Sequence, residues 1–273
     1  MELGLIAGRT LATEDTTMNQ MPVYPDLKGA SVFITGGGSG IGAALTEGFL
    51  RQGARVVFVQ RSDAEAFVDR MAAETGNRPL FIACDVTDAV ALKAAIGRAA
   101  AAHGPVTVLV NNVANDQRHD VMEVDEAFWD WSMGVNLKAY FFATQAVVPG
   151  MRAAGGGSII NFSSISYMMG AAGYSLYTTA NSGINGMTRS LAREFGRDRI
   201  RVNALAPGWV LTDKQKKMWV TPEALAAHLA RQCLKETLAP EDMAGGVLFL
   251  ASASSRMMTG QALVIDGGVV VTG

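Results

Sequence analysis

The sequence predicts an α/β fold of the Rossmann-like, doubly wound kind: one parallel sheet of about seven strands with helices on both faces. Three observations carry that reading. Short apolar runs alternate with helix-period segments along nearly the whole chain. The short runs are continuously apolar, as strands buried on both faces should be. The first run passes through a glycine-rich turn, Thr35-Gly36-Gly37-Gly38-Ser39-Gly40-Ile41-Gly42, straight into a helical pattern.

Each element follows from its own residues. Residues 30–35 form a short apolar run that ends at the glycines, and 41–51 repeat at helical spacing. The β-branched run 54–59 reads as a second strand, 64–74 as a helix and 80–84 as a third strand. Alanine-rich 89–102 is helical, and 106–110 is a strand ending at Asn111-Asn112. Residues 128–151 read as one long helix, 158–162 as a strand, 177–195 as a helix and 201–206 as a strand. Two further helices, 222–233 and 239–250, precede a last strand at 262–265. Connections are short except from about Gly208 to Pro222. In such sheets ligands sit at the carboxyl ends of the strands, so the residues following each strand are the candidates for function.

A chain of 273 residues, 49% apolar, can bury a sizeable core, so 27–273 reads as a single domain; the glycine turn and the family resemblance set out below imply that it is a dinucleotide-binding catalytic one. Residues 1–26 read as an arm, flexible or packed on a neighbouring subunit. Net charge is −2 with the basic residues scattered, which argues against a nucleic-acid partner; Lys214, Lys216 and Lys217 read as a solvated face. Cys84 and Cys233 belong to no CxxC or Cys/His cluster, so no metal site is expected. Cys84 lies in an apolar run and is expected to be buried. No run of about 18 apolar residues predicts a membrane span, and the start lacks the apolar stretch of a signal peptide. The expected location is the cytoplasm.

The glycine turn is built for a pyrophosphate. Glycine lets the backbone approach closely, and the following helix offers unpaired N–H groups and a positive dipole end. Gly36, Ser39, Gly40, Ile41 and Gly42 are therefore the first cofactor candidates. About twenty residues on, where an acid would hold the adenosine ribose of NAD, the second strand ends in Gln60-Arg61-Ser62. Without that carboxylate nothing repels a 2′-phosphate, and Arg61 could pair with one. The reading leans to NADP, with NAD use open and Asp63 close enough to matter.

Taken together these features resemble the short-chain dehydrogenase/reductase family from about Leu27 to the end. The cofactor turn matches at Thr35 to Gly42, and the acid after the third strand at Asp85, with Val86. The Asn-Asn motif matches at Asn111-Asn112, the helix asparagine at Asn136 and the Pro-Gly pair at Pro207-Gly208. The resemblance implies dinucleotide contacts from Asp85, Val86, Asn112, Pro207, Gly208, Val210 and Thr212. It implies catalytic roles for Asn136, for Ser164, which lies 13 residues before the tyrosine, and for Tyr177. Four residues after that tyrosine, one turn along the same helix face, the family carries a lysine; here the residue is Asn181. In the family the lysine binds the nicotinamide ribose and lowers the tyrosine pKa. Neutral Asn181 cannot supply the charge, though it could hydrogen-bond a ribose hydroxyl. The substitution is either a single recent inactivating change or a natural departure with weak activity.

Within the family the chain is similar to bacterial aldose 1-dehydrogenases of the D-xylose, pentose or fucose type. The segments that carry this are Asn115-Asp116-Gln117-Arg118-His119, Ser164-Ile165-Ser166-Tyr167 and Gln232-Cys233-Leu234-Lys235. The resemblance implies oxidation of a sugar's anomeric hydroxyl, with Asn115, Gln117, His119, Ser164, Tyr177 and Trp209 facing the substrate. Trp209 and Trp219 belong to the lid, whereas Trp131 reads as helix packing. Reduction of an oxo-acid or oxoacyl chain, or a nucleotide-binding subunit of weak activity, are the alternatives. Relatives of this kind are usually homotetramers joined through their two long helices.

Overall fold

The computed structural model describes residues 21–271. Seven strands form one parallel sheet: β1 Ser31–Thr35, β2 Arg55–Gln60, β3 Leu80–Ala83, β4 Val108–Asn111, β5 Gly157–Phe162, β6 Ile200–Pro207 and β7 Ala262–Ile265. Their order is β3-β2-β1-β4-β5-β6-β7. The chain winds outward from β1 to β3, then crosses back to lay β4 on the other side of β1. The gap between the carboxyl ends of β1 and β4 is thus the topological switch point, where such sheets open a crevice.

Helices α1 Gly40–Arg51, α2 Glu65–Thr75 and α3 Ala89–His103 follow the first three strands. After β4 come α4 Glu126–Met133, a π-helical turn Gly134–Lys138 and α5 Ala139–Ala153. A four-residue α6, Ser166–Met169, and the long α7 Ser175–Phe195 follow β5. The segment after β6 holds α8 Asp213–Met218 and α9 Pro222–Arg231, and α10 Pro240–Ala251 leads to β7.

Alternation within each strand splits the core in two. Val32, Ile34, Val56, Phe58 and Ile160 pack under α1, α2 and α10. Phe33, Val57, Val59, Leu109 and Ile159 pack under α3, α5 and α7. Successive side chains point to opposite faces, and both faces are covered, so every strand position tolerates an apolar residue. This is the physical origin of the continuous runs in the sequence.

Three expectations need correction. The single long helix at 128–151 begins two residues earlier and is interrupted by the π turn, which no periodicity reveals because one extra residue only rotates the stripe. The 208–222 connection contains α8, begun by Thr212 Oγ accepting from Gln215 N at 3.2 Å. Part of the presumed arm lies against the domain: Tyr24 N donates to Gln52 Oε1 at 2.8 Å, and Asp26 accepts from Ala253 N at 2.7 Å. Residues 1–20 lie outside the described residues. Cys84 is buried, as its apolar run suggests. Among the described residues no helix is long and apolar enough to cross a membrane.

Candidate active site

A cleft of about 890 Å³ opens at the carboxyl ends of the strands over the switch point. One end is the glycine turn. Gly36 has φ +73°, a conformation that L side chains rarely adopt, and a side chain at Gly42 would run into the Gly36 carbonyl. Ser39, the N-cap of α1, makes no side-chain capping bond, so the first N–H groups of that helix are left to a ligand. Asn112 braces the turn from β4, donating to the Thr35 and Gly36 carbonyls at 3.0 and 3.1 Å. These features make a cradle that fits a dinucleotide pyrophosphate.

The adenosine end is lined by Gln60, Arg61, Asp85 and Val86. Gln60 Oε1 accepts from Gly38 N at 3.0 Å, so an amide occupies the ground between the turn and the end of β2. Asp63 faces away: its carboxylate accepts from Glu65 N at 3.3 Å at the start of α2. Arg61 is exposed and 3.9 Å from Asp85. The Asp85 carboxyl titrates below its ordinary range, chiefly because Thr87 N–H donates to it at 2.9 Å. Pro207, Gly208, Val210 and Thr212 line the opposite wall.

Tyr177 and Ser164 meet in the middle. Tyr177 lies in the first turn of α7, and Ser164 follows β5. Both line the cleft, and Ser164 is close enough to favour the ionised Tyr177 phenol. Ser164 Oγ also accepts from Ser166 N at 3.1 Å, which fixes its rotamer at the start of α6. The Tyr177 residue is half-buried, but its hydroxyl sits deep in the cleft. Desolvation there pushes its pKa up to about 12; the neighbouring Ser164 and Asn181 side chains pull the other way, and the Asp116 carboxylate adds to the rise.

Asn181 does not do what a lysine would. It is buried at 3% exposure and absent from the cleft wall; its Nδ2 donates to the Tyr177 carbonyl at 2.8 Å, one helical turn back. A short amide on a helix finds the preceding turn before it can reach outward. In this structure the amide N–H is spent within its own helix. Its own carbonyl is pinned by Ser163 Oγ at 3.2 Å and Asn185 Nδ2 at 2.8 Å. Asn136, on the π turn, touches neither hydroxyl. Its amide accepts from Asn115 N at 2.7 Å and donates to Asn115 O at 3.1 Å, clamping the loop after β4. It positions that loop.

Of the expected substrate residues, Asn115 and Trp209 line the cleft. Gln117 lies in a smaller adjoining hollow. His119 is taken up by structure: Nδ1 lies 3.1 Å from the Gln117 carbonyl, while Nε2 lies 3.1 Å from Ser175 Oγ and accepts from Leu176 N at 3.5 Å. These partners favour a proton on Nδ1, with Nε2 turned to the first turn of α7. Trp131, read as helix packing, lines the cleft instead.

Sequence reasoning passed over Tyr174, Gln215 and His228, which also line it. Tyr174 stacks on Tyr177 with centroids 5.7 Å apart and carries the Arg118 guanidinium 3.7 Å above its ring. Gln215 joins the lid to the β4 loop: it accepts from Trp209 Nε1 and donates to Asp116 Oδ2, both at 2.9 Å. Lys214 pairs with the same carboxylate at 3.4 Å. The available signal was the pairing of an acidic Asp116 with the polar run 213–217.

Residues 36–270 match the family model described as enoyl-(acyl carrier protein) reductase. The chain belongs to the short-chain dehydrogenase/reductase family. Over 248 residues it is 50% identical to the probable galactose dehydrogenase of Rhizobium meliloti, covering 90% of this chain and 97% of that one. Over 247 residues it is 49% identical to the D-xylose 1-dehydrogenase of Caulobacter vibrioides, covering 90% and 98%. Among solved structures it is similar to the L-sorbose reductase of Gluconobacter frateurii complexed with NADPH and L-sorbose (TM-score 0.83, 28% identity, covering 90% and 99%). It is also similar to a blue fluorescent protein from a metagenomic library in complex with NADPH (TM-score 0.82, 34% identity, covering 90% and 99%). Membership in this family makes the cleft a dinucleotide-dependent oxidoreductase site.

Proposed function

We propose that this protein oxidises the anomeric hydroxyl of an aldose to the aldonolactone, using NADP in preference to NAD. The observation that carries the reading is that Tyr177 and Ser164 line one cleft between a phosphate cradle and a far wall that holds Asn115, Asp116, Arg118 and His228. Relatives named as galactose and D-xylose dehydrogenases support the substrate class. The NADP preference rests on Gln60 and Arg61 standing where NAD use favours an acid.

A dinucleotide held by the glycine turn and the Gly208–Thr212 wall would supply the hydride acceptor through its nicotinamide. This chain's residues handle the proton and the oxygen. Ser164 Oγ holds the anomeric oxygen by a hydrogen bond. Tyr177 Oη takes that oxygen's proton as hydride leaves the same carbon, so the C–O bond becomes the lactone carbonyl. Asn136 keeps Asn115 in place beside the reacting carbon. A base with a pKa near 12 is scarcely ionised at neutral pH, so the Asn181 form is slow.

Assembly as a homotetramer through α5 and α7 is part of the proposal. Phe141 on α5 is 45% exposed, as an interface side chain would be in a lone protomer. The test of function is a panel of pentoses, hexoses and oxo-acids with each dinucleotide, run on this chain and on Asn181→Lys. Turnover of oxo-acids without sugars would overturn the reading.

A further inference from the structure

Among the described residues, six buried side-chain polar atoms have no hydrogen-bond partner. Three of them belong to residues that line the cleft: Ser166 Oγ on α6, Trp219 Nε1 just after α8, and His228 Nε2 on α9. A buried polar atom without a partner is costly, so three among the residues of one cleft need a purpose. Ser166 is only 2% exposed. The three come from two separate segments, the start of α6 and the segment after β6, and all three residues line the same cavity.

Their chemistry is complementary. The indole nitrogen can only donate. His228 sits edge-on to Trp209, ring centroids 5.3 Å apart, and burial, with the Arg231 charge, lowers its pKa. The imidazole Nε2 of His228 donates or accepts according to the ring's tautomer. The serine hydroxyl does either. A donor and two groups that can each donate or accept match a run of neighbouring hydroxyls; an acyl chain would leave all three unpaired.

We propose that Ser166, Trp219 and His228 form a specificity site for the hydroxyls of the sugar remote from the reacting carbon. This rests on the aldose reading and deepens it. The site would discriminate by omission: a sugar lacking one of these hydroxyls leaves a buried group unpaired and is disfavoured.

The test measures binding, so that the slow chemistry of the Asn181 form does not obscure it. The NADP-loaded protein is titrated by calorimetry with D-galactose, D-xylose and deoxy forms of galactose, for the parent and for Ser166→Ala, Trp219→Phe and His228→Phe. Each replacement removes one polar atom and keeps most of the packing, and unchanged NADP affinity verifies the fold. Each variant is expected to bind its preferred aldose about three- to tenfold more weakly, while at least one deoxy sugar binds parent and variant alike. Variants that bind every sugar as the parent does overturn this inference and leave the aldose reading standing. A loaded parent that binds no aldose overturns both.

Discussion

Restoring a lysine at position 181 is the sharpest perturbation of this site. Burial leaves the Tyr177 phenol with a pKa of about 12, so at neutral pH only about one molecule in 10⁵ carries the phenolate. Asn181 lies one turn further along the same helix, so a lysine there shares the tyrosine's face, and its ammonium is taken to lie about 5 Å from the phenol oxygen. At an effective dielectric of about 20 that charge favours phenolate by about 3 kcal/mol, a little over two pKa units. The other cationic influence is too small to compensate. Tyr177 sits in the first turn of α7, but a helix end contributes only about 0.3–1 kcal/mol, under one unit. Asn181→Lys should therefore raise the rate of dinucleotide reduction at neutral pH by about 10² from ionisation alone, and up to about 10⁴ with better proton transfer. The sign of the pH dependence follows. Oxidation needs the deprotonated phenol, so the parent rate should climb about tenfold per pH unit through the alkaline range without levelling. The lysine form should level about two units earlier. Initial rates across that range on the best aldose decide the matter. An unchanged rate and an unchanged profile would refute the account of Tyr177 as a base raised by burial.

Other outcomes follow from the geometry. Ser164→Ala should lower kcat/KM about 10²-fold and leave dinucleotide affinity intact in a fluorescence titration, because only the reacting oxygen loses a partner. Gly42→Ala should weaken dinucleotide binding at least about tenfold, since the added methyl displaces the Gly36 carbonyl and with it the phosphate cradle. Arg61→Ala should cost about tenfold in kcat/KM with NADP and almost nothing with NAD, which steady-state comparison of the two cofactors reads directly. Asn161→Ala should cost about 1–3 kcal/mol in denaturant unfolding. It cuts the buried relay in which Asn111 donates to Asn161 Oδ1 at 2.9 Å and Asn161 donates to Thr188 Oγ at 3.0 Å.

The sheet was legible because its strands are buried on both faces and its turns carry glycine at the places that demand it. Every expected strand has its counterpart, and the cofactor residues from Gly36 to Thr212 line one cleft, apart from Asn181. What escaped the sequence depends on distance in three dimensions. His119 looked like a sugar contact because it follows β4, yet α7 needed a cap and took it. Asn136 carried a catalytic expectation, yet the π turn aims its amide at Asn115. His228 lies far along the chain from Tyr177, in a helix whose pattern advertises nothing, and only the fold of the lid brings it to the cleft.

Gln60 carries an implication for redesign. One amide secures the Gly38 N–H of the phosphate turn and occupies the ground from which the ribose is recognised. Installing an aspartate there to recruit the unphosphorylated coenzyme would shorten the reach by a methylene and swap a neutral acceptor for a charge facing the incoming pyrophosphate. Coenzyme choice and the integrity of the anion nest are thus coupled through a single side chain. An engineer seeking to exchange one coenzyme for the other must change the loop and the residue together.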